Sequence, residues 1–131
     1  MPDTEIGNID YTTIDVDKHV TYDSLEGRVV IITGGGQGIG RGYAHYFAAQ
    51  GAIPVIAEYN GENGERVAHE VQEKQGQALA IQTDVADIRS ATSMAEKTLS
   101  AFGRIDVLIN NAAVFSQITM APFWELPGEE W

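Results

Sequence analysis

The stretch Thr33-Gly34-Gly35-Gly36-Gln37-Gly38-Ile39-Gly40 joins an apolar run to an amphipathic segment. Every residue of the preceding run, Val29-Val30-Ile31-Ile32-Thr33, is β-branched, which is typical of a strand buried on both faces. Beyond it, Tyr43 and Phe47 recur at helical spacing, and Gly51 follows where such a helix is expected to end. The stretch is therefore predicted to be a glycine-rich turn from a buried strand into a helix.

A turn of this kind is suited to binding a diphosphate. Gly34 can adopt the tight turn, and the following glycines let backbone N–H groups approach an anion without an intervening Cβ. The start of the helix adds unpaired donors and about half a positive charge, and Gly40 allows close packing of the helix on the strand. Glycine-rich turns also occur for purely structural reasons. The flanking strand and helix favour a dinucleotide site, and the absence of Gly-Lys-Ser/Thr excludes a Walker-type loop.

The remaining pattern alternates strands and helices with short connections. The predicted elements are a strand at 53–57, a surface helix at 65–75, a strand at 78–82, a helix at 88–102 ended by Gly103 and a strand at 107–110. This order predicts an α/β fold with a parallel sheet and helices on both faces, namely the N-terminal half of a doubly wound, Rossmann-type sheet. Residues 28–131 are thus expected to be a truncated dinucleotide-binding domain, with a helix start near 127–131.

The first 27 residues differ in composition from the rest. They hold seven acidic residues and one basic residue, Lys18. We expect an acidic extension that is flexible or leans on a neighbouring subunit. Ile14, Val16, Val20 and Tyr22 fall at alternate positions, so a short edge strand stays an alternative.

Glu58 ends the second predicted strand, 24 positions after Gly34. A carboxylate here can accept hydrogen bonds from both hydroxyls of an adenosine ribose, a role expected about 20 residues after the glycines. It would repel a 2′-phosphate by about 4 kcal/mol at about 4 Å before screening. Gln37 supplies no compensating charge, although Arg41 is close in sequence. The pattern favours NAD over NADP, and the alternative is an ordinary solvated acid at a strand end.

Composition excludes several other classes of function. The 131 residues include 19 acidic and 8 basic residues, a net charge of −11, which disfavours nucleic acid and anionic membranes as partners. Cysteine is absent, which rules out thiolate chemistry and disulfides. No apolar run is long enough to span a bilayer, and the first residues are not typical of a secretory signal. His19, His45 and His69 have no partner histidine at i, i+3 or i, i+4, so we expect no metal site. His45 and His69 are expected to be solvated or rim residues. A cytoplasmic protein is the expectation.

Over about residues 25–131, the sequence resembles the short-chain dehydrogenase/reductase family. The loop matches that family's T-G-x-x-x-G-x-G, Asp84-Val85 resembles its acidic pair, and Asn110-Asn111-Ala112-Ala113 resembles its N-N-A-G. Ala113 departs from the usual glycine. The resemblance implies a binding site for the adenine ring at Asp84 and Val85. It also implies that Asn111 and Ala112 border the ribose on the nicotinamide side. The cofactor-binding residues are accordingly predicted to be Gly34, Gly36, Gln37, Gly38, Ile39, Gly40, Glu58, Asp84, Val85, Asn111 and Ala112.

The resemblance further implies hydride transfer between a nicotinamide and an alcohol or ketone, in an enzyme that is usually oligomeric. Its catalytic tyrosine lies in Y-x-x-x-K, and no such motif occurs in the 131 residues: the positions four after each tyrosine hold Asp15, Glu26, Phe47, Gln50 and Asn63. No catalytic residue is therefore assigned. Two hypotheses remain, an N-terminal part of an NAD-dependent oxidoreductase or a stand-alone, non-catalytic dinucleotide-binding or assembly module.

Overall fold

A computed structural model describes residues 22–114 and 121–126. Its strands are β1 (Val29–Thr33), β2 (Ile53–Glu58), β3 (Leu79–Gln82) and β4 (Val107–Ile109), and its α-helices are α1 (Gly38–Ala49), α2 (Gly61–Glu73) and α3 (Ile88–Phe102). Short 3₁₀-helices cover Asp23–Leu25 and Phe123–Glu125. The predicted alternation of strands and helices is confirmed.

The four strands form one parallel sheet in the order β3-β2-β1-β4. All five residues of β1 are buried, as its β-branched sequence predicts. Ile31 lies opposite Val55 of β2 on one side and Leu108 of β4 on the other. Because the strands are parallel, their carboxyl ends meet at one edge, where the glycine loop also begins.

Helices α1 and α2 cover one face of the sheet, and α3 covers the other. One core cluster combines Val30 and Ile32 with Ala44 of α1 and Val67 of α2. The other combines the alternate strand residues with Met94 of α3. The doubly wound, Rossmann-type arrangement is therefore confirmed for the described residues. At the edge of this sheet, Leu108 of β4 is 52% exposed.

The second helix begins four residues before the predicted start and ends two residues earlier. Asn60 caps it, because its side-chain oxygen accepts a hydrogen bond from the N–H of Asn63 at 3.2 Å. Gly61 and Gly64 disfavour a helix by propensity, yet both lie in its first turns. A Cβ at Gly64 would lie only 3.2 Å from Cβ of Glu58, so a small residue is needed for the helix to approach β2. Smaller differences are that β2 extends to Glu58, β3 begins at Leu79 and β4 ends at Ile109.

The described part of the N-terminal stretch contacts the domain. The N–H of Tyr22 donates to Oε1 of Gln50 at 2.9 Å, and the N–H of Gly27 donates to the carbonyl of Gly51 at 2.8 Å. Leu25 packs on the core. The boundary after residue 27 and the flexibility before it stay predictions. The alternating residues 14–20 and the expected helix start at 127–131 lie outside the described residues.

Asp106 fixes the opposite edge of the sheet. Its carboxylate accepts hydrogen bonds from Arg104 and Arg28 and, at 2.8 Å, from the backbone N–H of Val29. The hydrogen bond from Arg104 and the one from Val29 hold the pKa of Asp106 well below its usual range. The amino ends of β1 and β4 are thereby joined through one side chain.

Among the helices of residues 22–114 and 121–126, none combines the length and the apolar character that crossing a membrane requires.

Candidate functional site

The glycine loop follows β1 at the carboxyl edge of the sheet and depends on close backbone contacts. Gly34 has a φ of +65°, and its N–H donates to the carbonyl of Ala57 at 2.8 Å. A Cβ at Gly36 would lie 2.7 Å from Cγ of Glu58 and 2.9 Å from Cβ of Asn63. A Cβ at Gly40 would collide with the carbonyl oxygen of Gly34. The loop is therefore closely packed on β2 and α2 and accepts no side chain at Gly36 or Gly40.

The start of α1 is open, unlike the starts of the other two α-helices. Asn60 and Asp87 cap α2 and α3 with side-chain hydrogen bonds, whereas Gln37 makes none to α1. Gln37, Gly38 and Ile39 are exposed, with Ile39 at 67%. A helix start with free donors and no side-chain cap is suited to an anion such as a diphosphate.

Glu58 lies beside this loop and is only 7% exposed. Its Oε2 accepts a hydrogen bond from the N–H of Gly36 at 2.9 Å, and its Oε1 accepts one from the N–H of Asn60 at 3.1 Å. Each carboxylate oxygen retains a further lone pair for another donor. Glu58 is therefore held in one orientation by two loops, which an ordinary solvated acid at a strand end would not be.

Thr33 and Asn111 join the ends of β1 and β4. The hydroxyl of Thr33 accepts hydrogen bonds from the N–H groups of Asn111 and Ala112, both at 3.0 Å, and donates to the carbonyl of Ile109 at 3.3 Å. The side-chain amide of Asn111 donates to the carbonyls of Thr33 and Gly34 at 3.1 and 3.2 Å. These contacts hold Ala112 next to the glycine loop, where Cα of Ala112 lies 2.9 Å from the place of a Cβ on Gly34.

Asp84 and Val85 follow β3 at the same edge of the sheet. Oδ1 of Asp84 accepts a hydrogen bond from the N–H of Ala86, and the hydroxyl of Ser90 accepts one from the N–H of Asp84, both at 2.9 Å. Val85 is 55% exposed. This turn therefore presents an oriented carboxylate and an accessible apolar side chain.

Beyond the ends of β2 and β3 lies a cleft of about 490 Å³, lined by Tyr59, Asn60, Gly61, Glu62 and Gln82. Tyr59, which directly follows Glu58, is 71% exposed. Tyr59 is not among the predicted site residues, although an aromatic residue next to a predicted ribose acid was a usable signal. All eleven predicted cofactor residues are in the described region, at the carboxyl edge of the sheet, in the loops that leave it or in the first turn of α1.

The position of Arg41 differs from what its place in the sequence suggested. Its Nε donates to Oε2 of Glu70 at 2.8 Å, so it faces α2. The same Glu70 oxygen lies 2.8 Å from Nε2 of His45. Burial raises the pKa of Glu70, but the hydrogen bonds from Arg41 and His45 outweigh it and leave that pKa below its usual value.

The prediction that His45 is solvated or at the rim is wrong, because it is 3% exposed; His69 is exposed. Within residues 22–114 and 121–126, no group of three or more His, Cys, Asp or Glu side chains is placed to hold a metal ion.

Comparisons with known proteins agree on one family. A family profile described as short chain dehydrogenase matches residues 28–131. An uncharacterized oxidoreductase of Thermotoga maritima is 44% identical over 107 residues, covering 82% of this chain and 41% of that protein. The 7alpha-hydroxysteroid dehydrogenase of Escherichia coli K12 is 38% identical over 88 residues, covering 67% of this chain and 34% of that protein.

A solved structure extends the likeness to the fold. The crystal structure of 3-ketoacyl-(acyl-carrier-protein) reductase from Brucella melitensis, complexed with NADH, superposes with a TM-score of 0.70 at 37% identity. It covers 81% of this chain, and this chain covers 41% of it. The chain thus spans about two fifths of the length of these relatives or less. With the profile match and the shared parallel sheet, the chain belongs to the short-chain dehydrogenase/reductase family.

Proposed function

We propose that this chain is the cofactor-binding part of an NAD-dependent oxidoreductase that transfers a hydride between the nicotinamide and a small-molecule alcohol or ketone. The relatives are oxidoreductases, and one of them was crystallised with NADH.

The observation that carries the proposal is the environment of Glu58. Its carboxylate is almost buried, oriented by the N–H groups of Gly36 and Asn60, and located at the carboxyl end of β2. Its remaining lone pairs can accept hydrogen bonds from the two hydroxyls of an adenosine ribose. A 2′-phosphate at the same place would bring a second negative charge close to a carboxylate that is poorly solvated. We therefore expect NAD to bind more tightly than NADP.

The residues around Glu58 fit the rest of a dinucleotide. The uncapped start of α1, with Gln37, Gly38 and Ile39, would bind the diphosphate through backbone N–H groups. A Cβ at Gly36 or Gly40 would overlap other protein atoms, so the glycines there let the loop pack closely behind the proposed diphosphate site.

Two further loops extend the proposed site at opposite ends. Asp84 would bind the amino group of the adenine and Val85 would pack on the ring, consistent with the oriented carboxylate and exposed valine of that turn. Asn111 and Ala112 would border the ribose on the nicotinamide side, where Thr33 holds them beside Gly34. When bound, the cofactor supplies the hydride acceptor or donor; the protein residues bind and orient it.

Catalysis by this family needs a tyrosine acid/base with a lysine four residues later, and the 131 residues contain no such pair. We therefore propose that the 131-residue chain alone does not turn over substrate. We also propose that the enzyme containing it is a cytoplasmic homo-oligomer. Measurable ketone reduction by the purified 131-residue chain would contradict the first of these claims.

The primary experiment is titration of the purified chain with NAD and with NADP, accompanied by hydrogen exchange to report folding. We expect saturable binding that prefers NAD by about tenfold or more, equivalent to about 1.4 kcal/mol. Glu58→Gln should remove most of that preference, whereas Glu73→Gln, an equal change of charge at the exposed last residue of α2, should retain it. Equal binding of both dinucleotides to a protected, folded chain would refute the assignment of NAD.

A further inference from the structure

Arg66 of α2 reaches back to the glycine loop and contacts the residue that also contacts Glu58. Its Nη2 donates to the carbonyl oxygen of Gly36 at 2.9 Å, while the N–H of Gly36 donates to Oε2 of Glu58, also at 2.9 Å. The carbonyl of Gly36 thus accepts a hydrogen bond from a positively charged side chain, and its N–H donates one to a negatively charged side chain. Arg66 and Glu58 therefore contact the same residue, beside the proposed ribose site.

The guanidinium retains donors for a ligand. Arginine has five N–H donors in a planar fork, and one of them serves Gly36. No other hydrogen bond or ion pair engages Arg66 within residues 22–114 and 121–126, and the residue is exposed. The nearer arginine in sequence, Arg41, faces α2 and pairs with Glu70. Arg66 comes from the next helix and contacts the loop directly.

We propose that Arg66 is a specificity-determining residue for the cofactor. Its positive charge, beside the adenosine-ribose site, reduces the preference for NAD that Glu58 imposes. This inference rests on the proposed function and concerns how strongly the site prefers NAD to NADP. A guanidinium fork matches the geometry of a phosphate, so Arg66 acts on a 2′-phosphate and leaves a 2′-hydroxyl almost unaffected. The ratio of NAD to NADP affinity then depends on the opposing charges of Glu58 and Arg66.

A pair of nucleotides that differ only in the 2′-phosphate isolates this effect. Adenosine 5′-monophosphate and adenosine 2′,5′-bisphosphate are titrated, together with NAD and NADP, into the purified protein and its variants. The variants are Arg66→Gln, Arg66→Lys, Glu58→Gln and the Glu58→Gln/Arg66→Gln double variant. The control is Lys97→Gln, which makes the same change in net charge at an exposed residue of α3. Thermal unfolding checks that each variant is folded.

We expect Arg66→Gln to weaken binding of the 2′-phosphorylated nucleotides about fivefold more than that of their 2′-hydroxyl counterparts. Arg66→Lys keeps the charge but not the planar fork, so it should retain only part of the difference. Glu58→Gln should strengthen binding of the 2′-phosphorylated ligands, and the double variant should lose that gain. Lys97→Gln should leave the ratio unchanged.

Other outcomes distinguish a failure of this inference from a failure of the proposed function. If Arg66→Gln weakens both members of each pair equally, or neither, Arg66 only holds the loop and the inference is overturned while dinucleotide binding stands. If the folded wild-type protein binds neither NAD nor NADP, the proposed function fails and the inference fails with it.

Discussion

The side chain of Thr33, the last residue of β1, accepts the backbone N–H of Asn111, the second residue after β4, at 3.0 Å, and the amide of Asn111 returns a hydrogen bond to the carbonyl of Thr33 at 3.1 Å. These residues are 78 positions apart in the chain. The reciprocal pair joins the glycine loop to the segment that follows β4. Two parts of the proposed cofactor site are thereby fixed relative to each other.

Thr33→Val should lower the free energy of unfolding by about 1–3 kcal/mol, because it has the same shape but leaves the N–H groups of Asn111 and Ala112 without their acceptor. Thr33→Ser retains the hydroxyl and should cost less than about 1 kcal/mol. Urea denaturation measures both changes. Equal effects of valine and serine would show that the hydroxyl does not matter.

Gly36→Ala should weaken NAD binding by about tenfold or more, because the added Cβ would overlap Glu58 and displace its carboxylate. Gly61→Ala is the matched control, since its Cβ would meet Gln82 only at an ordinary 3.5 Å. Titration calorimetry gives both dissociation constants. Unchanged binding in Gly36→Ala would mean that the orientation of Glu58 is unimportant.

Glu70→Ala should destabilise the protein by about 1–3 kcal/mol, because it removes the partner of the buried His45 side chain and the anion facing Arg41. Glu73→Ala removes an exposed carboxylate one turn away that pairs with His69, and should cost no more than about 0.5 kcal/mol. Thermal or urea unfolding compares the two. The ratio of NAD to NADP affinity should be the same in Glu70→Ala as in the wild type, since Arg41 faces α2; a changed ratio would show that Arg41 also acts on the cofactor.

Stability should fall as the pH is lowered below about 4, where unfolded carboxyl groups take up protons. The pKa values of Asp106 and Glu70 are lowered in the folded protein, so their contribution is complete above the unfolded pKa and is lost as the pH falls towards the folded one. Urea denaturation as a function of pH measures this slope. Asp106→Asn should flatten it, whereas Glu96→Gln, on an exposed part of α3, should not. A wild-type curve with no slope below pH 4 would contradict the assignment.

Local pattern was sufficient for most of the secondary structure. The β-branched run before Gly34 predicted a buried strand, and the apolar spacing up to Gly103 predicted the third helix with the bounds that the structure has. The exception was α2, whose early start depends on the cap at Asn60 and on the close contact of Gly64 with Glu58. Propensity disfavours glycine in a helix, and only packing against β2 overrides it.

The sequence by itself determined the family, the alternation of strands and helices, and the glycine loop with an acid after the second strand, because these depend on residue type and spacing along the chain. Tertiary structure decided the electrostatics around that loop. Proximity in sequence drew attention to Arg41, but the helix turns it towards Glu70, and Arg66 from the next helix reaches Gly36 instead. Charge acts through distance in space. A sequence displays local spacing but not the crossover that brings α2 beside the glycine loop after β1.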